Sequence, residues 1–206
     1  MATDDLTLVK RVRSGDQRAF GILIERYRKR VYALARGMVR NKEEAMDIAQ
    51  ESFAKVYKNL NYFKGESSFE TWLFRIARNL CIDLLRRRVA GGRTEQVEFD
   101  ETAEAELEDA HLGLLSTRLG TDPQRTVLGK ELAGKLEEAL QQLPEKHREV
   151  LLLRELEGMA YEDLARVLNI PKGTVMSRLF HARASMQKIL REYLDLEGED
   201  ADLQES

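Results

Sequence analysis

Cysteine, proline and long apolar runs are scarce in this chain. One cysteine, Cys81, among 206 residues excludes an internal disulfide framework and any zinc site built on several cysteines. It lies in RIARNLCIDLL at an apolar helical position, the setting of a small buried hydrophobe rather than of a nucleophile. His111, His147 and His181 are scattered, without the HxxxH pair that would suggest a metal. No carboxylate pair, nucleophile or phosphate loop occurs in a suitable context, so neither enzymatic activity nor a cofactor is expected. No stretch approaches the ~20 consecutive apolar residues of a membrane span, and no membrane insertion is expected. The N-terminal MATDDLTLVKRVRSGD sets acidic residues ahead of basic ones and has no apolar segment. That is not a signal peptide, which makes the cytoplasm the expected location.

The chain is instead rich in charge: 33% charged and 43% hydrophobic residues with only three prolines describe a strongly helical protein. The net charge of -3 conceals segregation along the chain. Residues 1–88 carry 19 Lys/Arg against 11 Asp/Glu, and residues 89–126 carry 3 against 9. Residues 127–194 are nearly balanced at 11 against 10, and the tail 195–206 has 6 acidic residues and no basic one. A basic first unit suggests an anionic partner that the overall charge hides.

Apolar residues recur at three- and four-residue spacing through Leu8, Val12, Phe20, Leu23, Ile24, Tyr27, Val31 and Leu34, and again through Ala49, Phe53, Val56, Tyr57 and Leu60. This predicts an all-α fold of two small helical domains, 1–88 and 127–194. Breaks are expected at Ser14-Gly15-Asp16, Arg40-Asn41 and Lys64-Gly65-Glu66-Ser67-Ser68, where Ser or Asp can cap the next helix. Residues 89–126 join a Gly pair, an acidic run and a Gly-Thr-Asp-Pro breaker, the composition of a flexible linker. Within it ETAEAELEDA has the composition of a transient helix.

The second domain begins with a helix predicted over 128–142. Pro144 suits a helical first turn and Gly158 a stop that needs positive φ. YEDLARVLN, a tight Asn169-Ile170-Pro171 connection and PKGTVMSRLFHARASMQKIL then resemble a helix-turn-helix. Val175, Leu179, Ala182, Met186 and Ile189 form a core stripe on the last helix. Gly173, Ser177, Phe180 and Ala184 lie opposite, with Met176 and His181 beside them. Small residues admit a major groove, and an apolar side chain can touch a thymine methyl there. Periodicity alone leaves open whether Phe180 faces DNA or packs on the rest of the chain.

Three ordered runs carry a family likeness: NKEEAMDIAQESFAKVYKNL, FKGESSFETWLFRIARNLCIDLLRRR and LPEKHREVLLLRELEGMAYEDLARVLNIPKGTVMSRLFHARASM. With an acidic linker between them, they resemble an extracytoplasmic-function (ECF) sigma factor of bacterial RNA polymerase. The resemblance implies that 1–88 is sigma region 2, which binds core polymerase and recognises and melts the -10 element. It implies that 127–194 is region 4, which reads the -35 element. Promoter DNA and core RNA polymerase would be the partners, an anti-sigma protein the regulator, and the linker would thread toward the RNA exit path.

The resemblance also assigns residues. Asp47, Gln50 and Glu51, which spacing alone would leave as a solvated helix face, would dock on the polymerase clamp helices. Residues 53–74 hold seven of the fourteen aromatics, interleaved with lysine and arginine, a mixture suited to stacking single-stranded bases. Phe53, Tyr57, Trp72 and Phe74 fit helix interiors. The exposed candidates for a flipped -10 base are Tyr62, Phe63, Lys64, Gly65, Glu66, Ser67 and Ser68. Asn79 would read a base edge, with Arg75, Arg78, Arg86, Arg87 and Arg88 on phosphates. On the last helix Met176, Ser177, Phe180 and His181 would face the -35 element, while Lys172, Gly173, Thr174, Arg178 and Arg183 would contact its backbone. Two departures stand out: Ala160 replaces a capping Ser or Thr, and His181 stands where arginine is common. A helix-turn-helix regulator that acts without polymerase, with residues 1–88 as a sensory or dimerisation bundle, is the alternative.

Overall fold

The computed structural model describes residues 3–91 and 127–204, and no strand occurs among them. The first domain comprises α1 (Asp5–Arg13), α2 (Gln17–Val39), α3 (Lys42–Asn59), a 3-10 turn (Leu60–Tyr62) and α4 (Phe69–Gly91). The second comprises α5 (Val127–Gln142), α6 (Glu145–Leu151), a π-helical turn (Leu152–Leu156), α7 (Tyr161–Leu168) and α8 (Lys172–Gln204). No described helix is long and apolar enough to cross a membrane.

Local chemistry explains the breaks. Asp16 accepts from the Arg18 and Ala19 N–H groups at 3.1 and 3.3 Å and caps α2, and Asn41 accepts from Glu44 N at 2.9 Å to cap α3. Ser68 Oγ accepts from Thr71 N at 3.0 Å and starts α4. Each satisfies a helix N–H that would otherwise lack a partner. Asn169 ends α7 in the left-handed region at φ 54°, and Gly158 adopts φ 67° at the expected stop. Pro144 differs by one position from the expected first turn. It precedes α6 with extended ψ 143°, and its carbonyl accepts from His147 and Arg148 N–H.

Two boundaries shift, and one helix carries a π turn. Helix α4 continues to Gly91, past the expected linker start, and α8 runs to Gln204, through most of the acidic tail. The π turn at Leu152–Leu156 inserts an extra residue, with Glu157 N donating to Leu152 O at 3.3 Å. Such a turn breaks the 3.6-residue spacing on which a periodic reading depends. The rest of the linker, including ETAEAELEDA and the acidic run assigned to the RNA exit path, lies outside the described residues.

Tyr32, Phe69, Phe74, Leu23 and Leu73 are fully buried in the first domain, and Leu152, Leu153, Leu164 and Leu179 in the second. Full burial of each such side chain stabilises the fold by about 1.5–3 kcal/mol. The two cores are continuous across the domain boundary. Gly37 of α2 makes that approach possible, since a Cβ there would sit 2.8 Å from both Leu152 δ-carbons. Buried Arg148 ties the seam: it donates to the Leu140, Gln141 and Leu143 carbonyls at the end of α5 and to Met38 O at 3.3 Å.

Two expected outcomes follow from local structure. Cys81 is fully buried, and burial pushes its thiol up to about 12. The native protein should therefore resist iodoacetamide at neutral pH and be alkylated once unfolded, as read by mass spectrometry; fast native labelling would contradict this packing. Ala160 precedes α7 in extended geometry with no side-chain cap bond. Ala160→Ser should raise stability by about 1 kcal/mol, seen as a higher urea midpoint at unchanged slope.

Candidate nucleic-acid interface

Three surfaces carry the residues singled out in the sequence. On α3, Asp47, Gln50 and Glu51 are all exposed on one face. Partial burial, then the neighbouring Glu51 and Glu43, push the Asp47 carboxyl up from the ordinary carboxylate range. Glu51 meets Lys55 at 3.0 Å. Beside this acidic face runs an apolar groove of about 690 Å³ between α2 and α3, lined by Phe20, Ile24, Met46, Phe53 and Tyr57, with Gln50 at its rim. Tyr57 departs from the inward orientation expected of it. It is 49% exposed and tilts against Phe20 at 4.9 Å at the end of the groove.

The second surface is the segment between the 3-10 turn and α4. Tyr62 is 78% exposed, whereas Phe63 is 5% exposed and stacks on Trp72 with centroids 5.1 Å apart. The expectation that Phe63 is exposed is corrected: the 3-10 turn throws successive aromatics to opposite sides, one outward and one under α4. Lys64, Gly65, Glu66 and Ser68 are exposed and Ser67 is half-buried. Gly65 adopts φ 75°, a left-handed conformation that costs a side-chain-bearing residue more. Tyr62, Phe63, Lys64, Gly65, Glu66, Ser67, Trp72 and Arg75 line a cavity of about 420 Å³, within the usual size of a small-ligand site.

Arg13 holds this segment from α1, donating to Leu60 O at 2.7 and 3.1 Å and also to Phe63 O. Arg166 of the second domain lines the same cavity. Neither residue is marked by any local sequence signal, because each acts on a segment far away in the chain. Along α4, Arg75, Asn79, Arg86 and Arg87 are exposed. Arg78 is not: it is half-buried against Glu149 of α6. Arg88 bonds Val39 O and Glu44.

The third surface is the first half of α8. Val175, Leu179 and Ala182 are buried, as the stripe predicts, while Met186 and Ile189 are partly buried against the same core. Phe180 is 70% exposed, and Lys172, Gly173, Met176, Ser177, His181 and Arg183 are exposed around it. Thr174 and Arg178 are half-buried. Phe180 is therefore not a core residue of the described fold. Its ring meets the edge of the His181 ring, with centroids 5.4 Å apart. The His181 ring lies near parallel to His147 at 6.3 Å. Burial, then His181 and Arg178, lower the His147 imidazole below its ordinary value. The cations on this helix have partners: Lys172 pairs with Glu162, Arg178 with Glu149 at 3.2 Å, and Arg183 with Glu155 at 2.6 Å.

Residues 23–90 match the family model Sigma-70 region 2, and residues 133–186 match Sigma-70, region 4. Over 191 residues the chain is 42% identical to the RNA polymerase sigma-H factor of Pseudomonas aeruginosa, covering 92% of this chain and 95% of that protein. Over 185 residues it is 38% identical to the ECF RNA polymerase sigma-E factor of Haemophilus influenzae, covering 89% and 93%. The chain belongs to the ECF sigma factors. CnrH, solved in complex with the cytosolic domain of CnrY, has a similar fold over 92% of this chain and 97% of its own, with TM-score 0.63 and 26% identity. The sigma factor RpoE from Bartonella quintana, solved with the anti-sigma factor NepR, shares the fold at TM-score 0.61 and 23% identity, over 84% and 96% of the two chains.

As an ECF sigma factor, the chain works with bacterial core RNA polymerase and directs transcription initiation at specific promoters. Its α7–α8 unit is the helix-turn-helix of region 4, and its α2–α4 bundle is region 2.

Proposed function

We propose that this sigma factor divides its work among the three surfaces. Asp47, Gln50 and Glu51 bind core polymerase, and the adjoining apolar groove takes nonpolar side chains of the same partner. Residues 1–88 serve core binding and the -10 element and residues 127–194 serve the -35 element, joined by the acidic linker 89–126 and followed by the acidic tail 195–206. Tyr62, Lys64, Gly65, Glu66, Ser67 and Ser68 receive an extruded -10 base over the platform formed by Phe63 and Trp72. Arg75, Arg78, Asn79, Arg86 and Arg87 hold the melted strand, Arg78 once it is released from Glu149. Met176, Ser177, Phe180 and His181 read the -35 groove, with Lys172, Gly173, Thr174, Arg178 and Arg183 on its backbone. The factor binds and positions without itself performing nucleotide chemistry, and it acts in the cytoplasm under an anti-sigma protein.

The observation that carries the reading is the cavity beneath Tyr62. An exposed ring, a buried aromatic stack and nearby cations converge there, the combination that compensates an unstacked base for the contacts it leaves. With 2-aminopurine in the non-template strand of the -10 element, holoenzyme should produce a fluorescence rise as the base leaves the helix. Tyr62→Ala combined with Lys64→Ala should lower open-complex formation about tenfold, one stacked base being worth ~1–3 kcal/mol. Undiminished melting by this variant would remove the cavity from the mechanism.

A further inference from the structure

The two DNA-contact surfaces are not independent. Glu149 on α6 is buried, and its carboxylate lies between an arginine from each surface. Its Oε2 accepts from Arg78 Nε and Nη2 at 2.9 and 2.8 Å. Its Oε1 accepts from Arg178 Nη1 at 3.2 Å. Arg78 belongs to the helix assigned to the melted strand, and Arg178 to the helix assigned to the -35 backbone. Donors committed to a carboxylate cannot serve a phosphate at the same time.

We infer that the second domain docks against the first at Arg78, the edge of its DNA-contact surface, and that Glu149 holds this closed state by occupying one arginine from each DNA-binding surface in place of phosphate. The inference rests on the roles proposed for Arg78 and Arg178. The surrounding seam has matching chemistry. Arg30 of α2 donates to Glu157 of the second domain at 2.7 Å and also engages Glu70. Thr71 Oγ1 donates to Asp163 Oδ1 at 3.1 Å, and Arg166 lines one side of the base cavity. The acidic α3 face stays exposed, so closure occupies Arg78 and Arg178 without covering the polymerase surface.

The contact is also suited to opening. Burial pushes the Glu149 carboxyl up, against the opposing pull of Arg78 and Arg178. Its desolvation therefore offsets much of what the ion pairs contribute. Exchange of one anionic partner for another is a balanced reaction in which polymerase binding and DNA phosphates can decide the outcome. Gly37 supplies a second handle that carries no charge, because a side chain there would press on Leu152 across the seam.

The test uses the full chain with Glu149→Gln and, separately, Gly37→Val. Small-angle scattering of the free protein reads closure, and anisotropy of a fluorescein-labelled 20-nucleotide single strand reads access to the arginines. Both variants should have a larger radius of gyration than the wild type and bind the strand about tenfold more tightly at low salt. Adding Arg78→Ala should cancel the gain. Glu145→Gln, the same charge change on α6 outside the clasp, should leave the chain compact with little change in affinity. Variants that stay compact, or that expand without binding DNA more tightly, would overturn the inference. Failure of the wild type to program core polymerase would instead remove the assigned promoter roles, while the scattering and anisotropy results would still decide the clasp.

Discussion

Asp47→Lys combined with Glu51→Lys is expected to weaken binding to core RNA polymerase by at least about 100-fold, or ~2.7 kcal/mol. Both side chains are exposed on α3, so the fold should survive, with helical circular dichroism unchanged. The ion pair lost is Glu51 with Lys55, half-exposed and i,i+4, which is worth under ~1 kcal/mol. The large effect comes from the partner. Glu43, Asp47 and Glu51 crowd one face, and partial burial, then repulsion from Glu51 and Glu43, pushes the Asp47 carboxyl up. A cationic partner relieves that repulsion; two lysines would reverse it and place like charges across the interface. Sedimentation of labelled chain with core enzyme checks the outcome. Binding within threefold of the wild type would exclude this face from polymerase docking.

Phe180→Ala is expected to separate promoters by their -35 element. Phe180 is exposed on the recognition helix with no core role, so its loss should reduce occupancy of a matched element by about 10- to 100-fold, or ~1–3 kcal/mol for one base-pair contact. A scrambled element should show little change. Ser177→Ala should shift preference in the same assay. Arg178→Ala should instead weaken all promoters alike and flatten the salt dependence by about one unit of slope. Part of its effect will appear as loosening of the closed free chain, since Arg178 also engages Glu149. Equal losses for Phe180→Ala on matched and scrambled elements would rule out base reading.

Local chemistry made much of the fold legible. Asp16, Asn41, Ser68, Asn169 and Gly158 act within three or four residues of their own positions, so their capping and turning roles are visible in a linear string. The α8 stripe was legible for the same reason, because helical periodicity fixes which side chains share a face. What that face meets is a different question. Phe63 turns inward and Tyr57 outward because of where α4 and α2 lie, which no spacing within α3 or the following turn encodes. Arg13 holds the Tyr62 segment from 47 residues away, and Arg78 meets Glu149 across 71. Both arginines look alike in the sequence, as members of a basic first domain. The roles of the α3 face and the two DNA surfaces came from resemblance to ECF sigma factors, and geometry then separated exposed positions from committed ones.

The most direct test of the account is transcription start mapping with core RNA polymerase and genomic DNA, with and without this chain as the sole sigma factor. The account predicts starts that appear only when the chain is present and that share upstream -35 and -10 elements. They should be lost with Asp47→Lys/Glu51→Lys and redistributed with Phe180→Ala. A chain that yields no new starts, yet binds duplex operators alone as a dimer, would contradict it.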